Sequence, residues 1–244
     1  MFKTKLLVIA LGAAFALPAM AEDAPASTSG FTASSNVTIT SNYLARGMQQ
    51  SGGGAAIQGG FDLSHSSGAY AGVWASSISW LSDTVPATAS RASAEFDTYL
   101  GFGGEAGVVG YDVGYLRYNY PGTYTAGTIS ADTDELYTAV TYSIVTAKFS
   151  YSMSDLFGVV NSKGSTYMEL NAEYAVGESG ITLGAHVGKQ AIANNSASDY
   201  SDYNISASKD FSGYSLGLTY STTDVASTNG AGVGTGVVSL SHSF

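Results

Sequence analysis

From Gln58 to Trp80 the chain runs as two alternating stretches joined by Ser66, Ser67 and Gly68. In an extended strand Gly59, Phe61, Leu63 and His65 fall on one face and Gln58, Gly60, Asp62 and Ser64 on the other, one greasy and one wet. Tyr70 to Ile78 keeps the same two-residue beat, and the three small residues between the stretches suit a tight turn. The pattern is that of a long-armed β-hairpin, and it recurs until Phe244.

The N-terminus reads differently. Lys3 and Lys5, an apolar segment from Leu6 to Leu17 and the small-x-small triplet Ala19-Met20-Ala21 predict a secretory signal peptide over 1–21. The apolar run is too short for a membrane-spanning helix. An Ala/Ser/Thr-rich lead-in covers 22–30, and 31–244 is the predicted barrel. Cleavage leaves seven bases against 19 acids. So acidic a chain, with its bases scattered, presents no patch for nucleic acid. With no cysteine there is neither a disulfide nor a thiolate metal site. Thirty Gly, 17 Tyr and only 11% charged residues fit strands and turns whose exterior meets lipid.

Further alternating strands are expected from about Ser34 to Leu44, Ala94 to Phe102, Val109 to Tyr118, Glu135 to Ile144, Lys148 to Ser154, Thr166 to Val176, Ile181 to Lys189, Tyr203 to Lys209, Tyr214 to Ser221 and Val233 to Phe244. That makes about twelve strands, an even number. Connections at Ser66, Glu105, Thr146, Glu178 and Ser212 are tight, and those between them are long and polar. This rhythm predicts an all-β fold: an up-and-down antiparallel transmembrane β-barrel with short periplasmic turns and long outer loops. In hydrocarbon every strand edge must be paired, so the sheet has to close.

Several blocks carry a resemblance. Ser41-Asn42-Tyr43 followed by Arg46-Gly47, then Gln58-Gly59-Gly60-Phe61-Asp62, His65, Ser67-Gly68, Tyr70-Ala71-Gly72 and Trp74-Ala75-Ser76, resemble the TorF family of proposed porins. Glu95-x-Asp97-x-Tyr99-x-Gly101, Tyr111-Asp112-x-Gly114-Tyr115, Tyr120-Pro121-Gly122, Glu135-Leu136-Tyr137 and Tyr167-x-Glu169-Leu170-Asn171 extend it over nearly all of the mature chain. Ala45 stands where a bulkier residue is expected before Arg46. The resemblance implies a barrel in the outer membrane of a Gram-negative bacterium. It supplies no site residues, because the family has none established. The terminal Phe244 is similar to the end signal read by the barrel-assembly machinery of outer-membrane proteins.

With the greasy faces toward lipid, the opposite phase puts Asp62, Glu95, Asp97, Glu135, Lys148, Glu169, Asn171, Glu173 and His186 along the lumen. Acids outnumber bases there, which predicts a path for small hydrophilic solutes that prefers cations. The competing expectation is a lumen filled and neutralised by the same side chains; space inside about twelve strands favours the path. Tyr43, Trp74 and Trp80 are expected at the membrane interfaces. Arg117 breaks the phase of its strand, marking either a bulge or a rim position.

A barrel-embedded lipid-acting enzyme and a non-conducting surface barrel are the alternatives. Of the three histidines only His186 is in the inward phase, and no serine motif accompanies it. Glu95 and Asp97 have the spacing of a carboxylate pair, which lumen solvation explains equally. No zinc or calcium pattern is present, and no cofactor is expected. Gly230-x-Gly232-x-Gly234-x-Gly236 lacks the spacing and the helix of a nucleotide loop.

Overall fold

The computed structural model describes residues 30–83, 91–126, 128–225 and 234–244. The expected signal peptide and most of the lead-in lie outside the described residues. In chain order the strands are β1 (Phe31–Thr40), β2 (Leu44–Ala45), β3 (Met48–Gln49), β4 (Ala56–His65), β5 (Ala69–Ser77), β6 (Arg91–Ala92), β7 (Ala94–Ala106) and β8 (Val109–Asn119). They continue with β9 (Gly122–Thr123), β10 (Thr133–Tyr142), β11 (Val145–Ser152), β12 (Thr166–Ala175), β13 (Ile181–Ala191), β14 (Tyr200–Phe211), β15 (Tyr214–Thr223) and β16 (Thr235–Ser243).

Twelve of these form one closed antiparallel barrel in which each strand pairs with its neighbours in sequence. Closure falls to β1, whose Ile39 lies opposite Ile57 of β4 on one side and Leu240 of β16 on the other. No edge is left to satisfy, as the hairpin pattern requires. The four short strands make two small ribbons in the long loops.

Hairpin chemistry explains the tight end. Ser212 and Gly213 both take positive φ, 51° and 83°, the geometry whose twist matches a two-residue hairpin. The β10–β11 turn is made by Ser143 and Ile144, two residues earlier than the expected Val145-Thr146.

Large apolar side chains are exposed at outward positions of eleven of the twelve barrel strands, including Ile57, Leu100, Val140, Leu170, Ile205 and Leu218. So continuous an apolar belt is the kind of surface that a hydrocarbon layer would cover. Aromatic rings gather at its margins: Phe102, Tyr142, Tyr174 and Tyr214 toward the tight turns, Phe96 and Tyr203 toward the long loops. Among the described residues no helix is long and apolar enough to cross a membrane.

Two sequence expectations are corrected, and one left open between a bulge and a rim is decided for the rim. The first strand ends at Thr40, not Leu44, and Tyr43 is 1% exposed inside the long-loop end. Trp74 and Trp80 are likewise no interface anchors: both pack on the cluster of Tyr43, Ile78 and Tyr120 that caps this end. Arg117 sits at the rim of an unbulged β8, facing outward and paired to Asp134 at 2.9 Å and Asp132 at 3.5 Å.

Candidate functional site

The barrel interior divides into a closed layer near the long loops and an open one near the tight turns. Its lid is the loop 41–55, which β2 and β3 fold back on themselves. Tyr43 carbonyl accepts from Gln50 N–H at 2.8 Å, Tyr43 N–H donates to Ser51 Oγ at 2.9 Å, and Ser51 Oγ donates to Asn42 Oδ1 at 2.9 Å. At Gly47, φ +73°, an added Cβ would run into Thr223 and Asp202, so a side chain has no room.

Arg46, at the tip of this loop, reaches into the lumen. Its guanidinium donates to Glu135 at 2.7 and 2.9 Å, to Gln190 Oε1 at 2.7 Å, and lies 4.3 Å from the Tyr167 ring centre. Burial opposes that charge, but Glu135 and its neighbours outweigh burial and hold the guanidinium protonated. Tyr43 brings a second anchor, its hydroxyl donating to both oxygens of Glu95 at 3.2 Å. Burial first, and Glu95 second, push the Tyr43 and Tyr120 hydroxyls well above the usual phenol range, so both remain donors. Asp97 lies beside Glu95, with its Oδ1 buried and unpartnered.

On the far wall, His186 completes a chain of polar contacts. Its Nδ1 is 2.7 Å from Asn171 Oδ1, its Nε2 is 2.9 Å from Asp202 Oδ1, and Tyr167 donates to Asp202 Oδ2 at 2.9 Å. Asn171 donates to Glu169 at 3.0 Å, and Lys148 pairs with Glu169 at 3.7 Å while lying over the Tyr137 ring. Asp62 accepts from Tyr99 at 2.5 Å, and Asp112 from Tyr70, which itself contacts Tyr137.

These tyrosines fill one side of the lumen because glycines seat them. Tyr99 lies over Gly72, Tyr70 over Gly101 and Tyr137 over Gly114, each on the adjacent strand. The opposite wall, β13 to β16, carries small inward residues instead: Thr182, Gly184, Ser206, Ser208, Gly217, Thr219 and Ser239. They line a recess, about 30 Å³, whose one carboxylate is Glu173.

The nine candidate lumen residues therefore separate by depth. Glu95, Asp97 and Glu135 are 1–2% exposed and locked in the closed layer. Lys148, Glu169, Asn171 and His186 form the connected chain, Asp62 stands under Tyr99, and Glu173 alone lines the recess. Among the described residues no cluster of three His, Cys, Asp or Glu could hold a metal. Arg46, Gln190 and Asp202 are the site residues that strand phase missed. Phase says nothing of a loop residue that turns inward, as Arg46 does, and Gln190 and Asp202 fell just outside strands expected to stop at Lys189 and begin at Tyr203, whereas β13 runs to Ala191 and β14 begins at Tyr200. The usable signal is an isolated Arg beside Gly47 in a chain whose inward acids outnumber its inward bases.

Among solved structures, a membrane protein from a study of in-meso crystallisation is 7% identical, with 87% of this chain and 83% of its own covered at a TM-score of 0.49. OccK5 (OpdH) of Pseudomonas aeruginosa is 14% identical, with 78% of this chain and 58% of its own covered at 0.42. OccAB4 of Acinetobacter baumannii is 9% identical, with 86% and 56% covered at 0.43. No curated protein matches the sequence. The family model described as "Bacterial protein of unknown function (Gcw_chp)" matches residues 24–242, and the chain belongs to that family.

Proposed function

We propose that this protein is an outer-membrane porin of narrow bore, a passive path for small hydrophilic solutes that favours cations over anions, as the resemblance to the TorF family implies. The observation that carries this reading is the unequal filling of the lumen. Tyrosines occupy one wall and hydroxyl-bearing or glycine residues the other, leaving a polar recess at the tight-turn end. Tight turns face the periplasm in barrels of this kind, so the recess is the inner vestibule and the loop 41–55 the outer constriction. No covalent step is part of the reading: both ring nitrogens of His186 are engaged, by Asn171 and Asp202.

A second reading, a non-conducting barrel, draws on the same loop, since Arg46 and Tyr43 tie it to the wall. Single-channel recording of the refolded mature protein under a salt gradient separates the two. Discrete small openings with a cation-directed reversal potential support the porin. Silence from a barrel that still shows heat-modifiable gel migration, in both the native protein and Arg46→Ala, removes it.

A further inference from the structure

We infer that Glu173 sets the charge preference of the lumen, and that a small cation entering from the tight-turn end passes along the β13–β16 wall. The inference rests on the porin reading for its direction of travel, but its geometry stands apart from conduction.

The argument is one of elimination among the inward carboxylates. A wall charge acts on a passing ion only where water and the ion can approach it and no fixed base already cancels it. Glu135 is cancelled by Arg46, Glu169 by Lys148, and Asp202 is held by His186 and Tyr167. Asp62 and Asp112 accept from Tyr99 and Tyr70 across the crowded side. Glu95 and Asp97 are shut behind the loop 41–55, and Glu105 and Asp210, in the inward phase of β7 and β14, are exposed at the tight-turn rim, where bulk water and salt screen them. Glu173 is half-buried, on the solvent-lined recess, and among the described residues no Lys, Arg or His lies within ion-pair distance of it. Around it stand the hydroxyls of Thr182, Ser206, Ser208, Thr219 and Ser239, which can replace part of a cation's hydration shell.

The recess lies close to the tight turns that join β12 to β13 and β14 to β15, so it opens to that end. Above it Asn171, His186 and Asp202 continue the wall as far as Arg46. An ion entering there meets Glu173 without a base partner first, and acids already held by hydrogen bonds beyond it.

The chain has no cysteine, which allows a direct test. Ser208→Cys, refolded in detergent and checked for heat-modifiable migration, is treated with 2-aminoethyl methanethiosulfonate or its 2-sulfonatoethyl counterpart. The expected ratio of cationic to anionic labelling rates exceeds that of a free thiol by about fivefold, a size suited to one partly solvated charge. Adding Glu173→Gln returns it to the free-thiol ratio, and Glu173→Lys inverts it. Ser150→Cys, in the closed layer, stays unreactive in the folded barrel. If Ser208→Cys does not refold, Thr219→Cys carries the same measurement. An unreactive recess, or a ratio that ignores Glu173, overturns the inference. Labelling with the expected ratio in a barrel silent in bilayers upholds Glu173 and removes the porin reading alone; conduction without labelling does the reverse.

Discussion

The Arg46 guanidinium and the Glu135 carboxylate, 89 positions apart in the chain, meet at 2.7 Å inside the barrel. Both are nearly excluded from solvent, at 12% and 2% side-chain exposure. The pair ties the tip of the loop 41–55 to the β10 wall. Arg46→Ala strands the Glu135 charge in the closed layer, with an expected loss of about 3–5 kcal/mol in urea unfolding of the refolded barrel. Adding Glu135→Gln removes the stranded charge, so the double variant is more stable than Arg46→Ala alone. Equal midpoints for the two would show that the stranded carboxylate costs nothing.

Packing on the crowded side depends on missing side chains. A Cβ at position 114 would meet the Tyr137 hydroxyl and the Leu100 carbonyl, and the latter is backbone that cannot rotate away. Gly114→Ala is therefore expected to cost about 1–3 kcal/mol by overpacking. Tyr137→Phe in the same background does not restore it, because Leu100 still blocks the site. Thermal loss of heat-modifiable migration is the readout, and an unshifted transition contradicts the seat.

The alternation of Phe61 with Asp62, and of Leu170 with Asn171, made the barrel legible, because period two has one structural meaning and a chain of hairpins one way to close. The lumen face of Glu95, Glu135 and Glu173 was legible for the same reason. Their depth was not. Burial of Glu95 is set by Tyr43, whose position in sequence continues the two-residue beat of Val37 and Ile39 and so points to the lipid face. In the structure that beat stops at Thr40, where Asn42 carbonyl accepts from the Thr40 hydroxyl at 2.9 Å and the chain turns inward. Local periodicity carries no signal for such a turn; only long-range pairing with Glu135 and Glu95 fixes it.

Phe244 follows β16 at the tight-turn end, exposed, with its ring against His242 at 4.5 Å. Its backbone exchanges bonds with Ser35, closing the barrel seam at 2.8 and 3.2 Å whatever its side chain. Phe244→Ala is thus expected to leave refolding in detergent within about 0.5 kcal/mol of the native protein. If Phe244 is the signal for the assembly machinery, the same variant lowers the folded fraction in cellular outer membranes several-fold. A normal cellular yield would separate the residue from assembly.

The apolar belt makes the strongest demand on environment. Leu170 is half-exposed on the outward face of β12, midway between the two ends of its strand. Leu170→Arg places a cation in hydrocarbon if the barrel spans a bilayer, at an expected cost of about 2–4 kcal/mol in folding into lipid vesicles. Val160, 70% exposed in the loop after β11, provides the contrast: Val160→Arg remains in water and is expected to change folding by less than about 0.5 kcal/mol. In a barrel bathed by water both substitutions would be mild, and Leu170→Arg would even relieve an exposed apolar surface. The difference between the two variants therefore reports the solvent of the belt itself, independently of whether the lumen conducts.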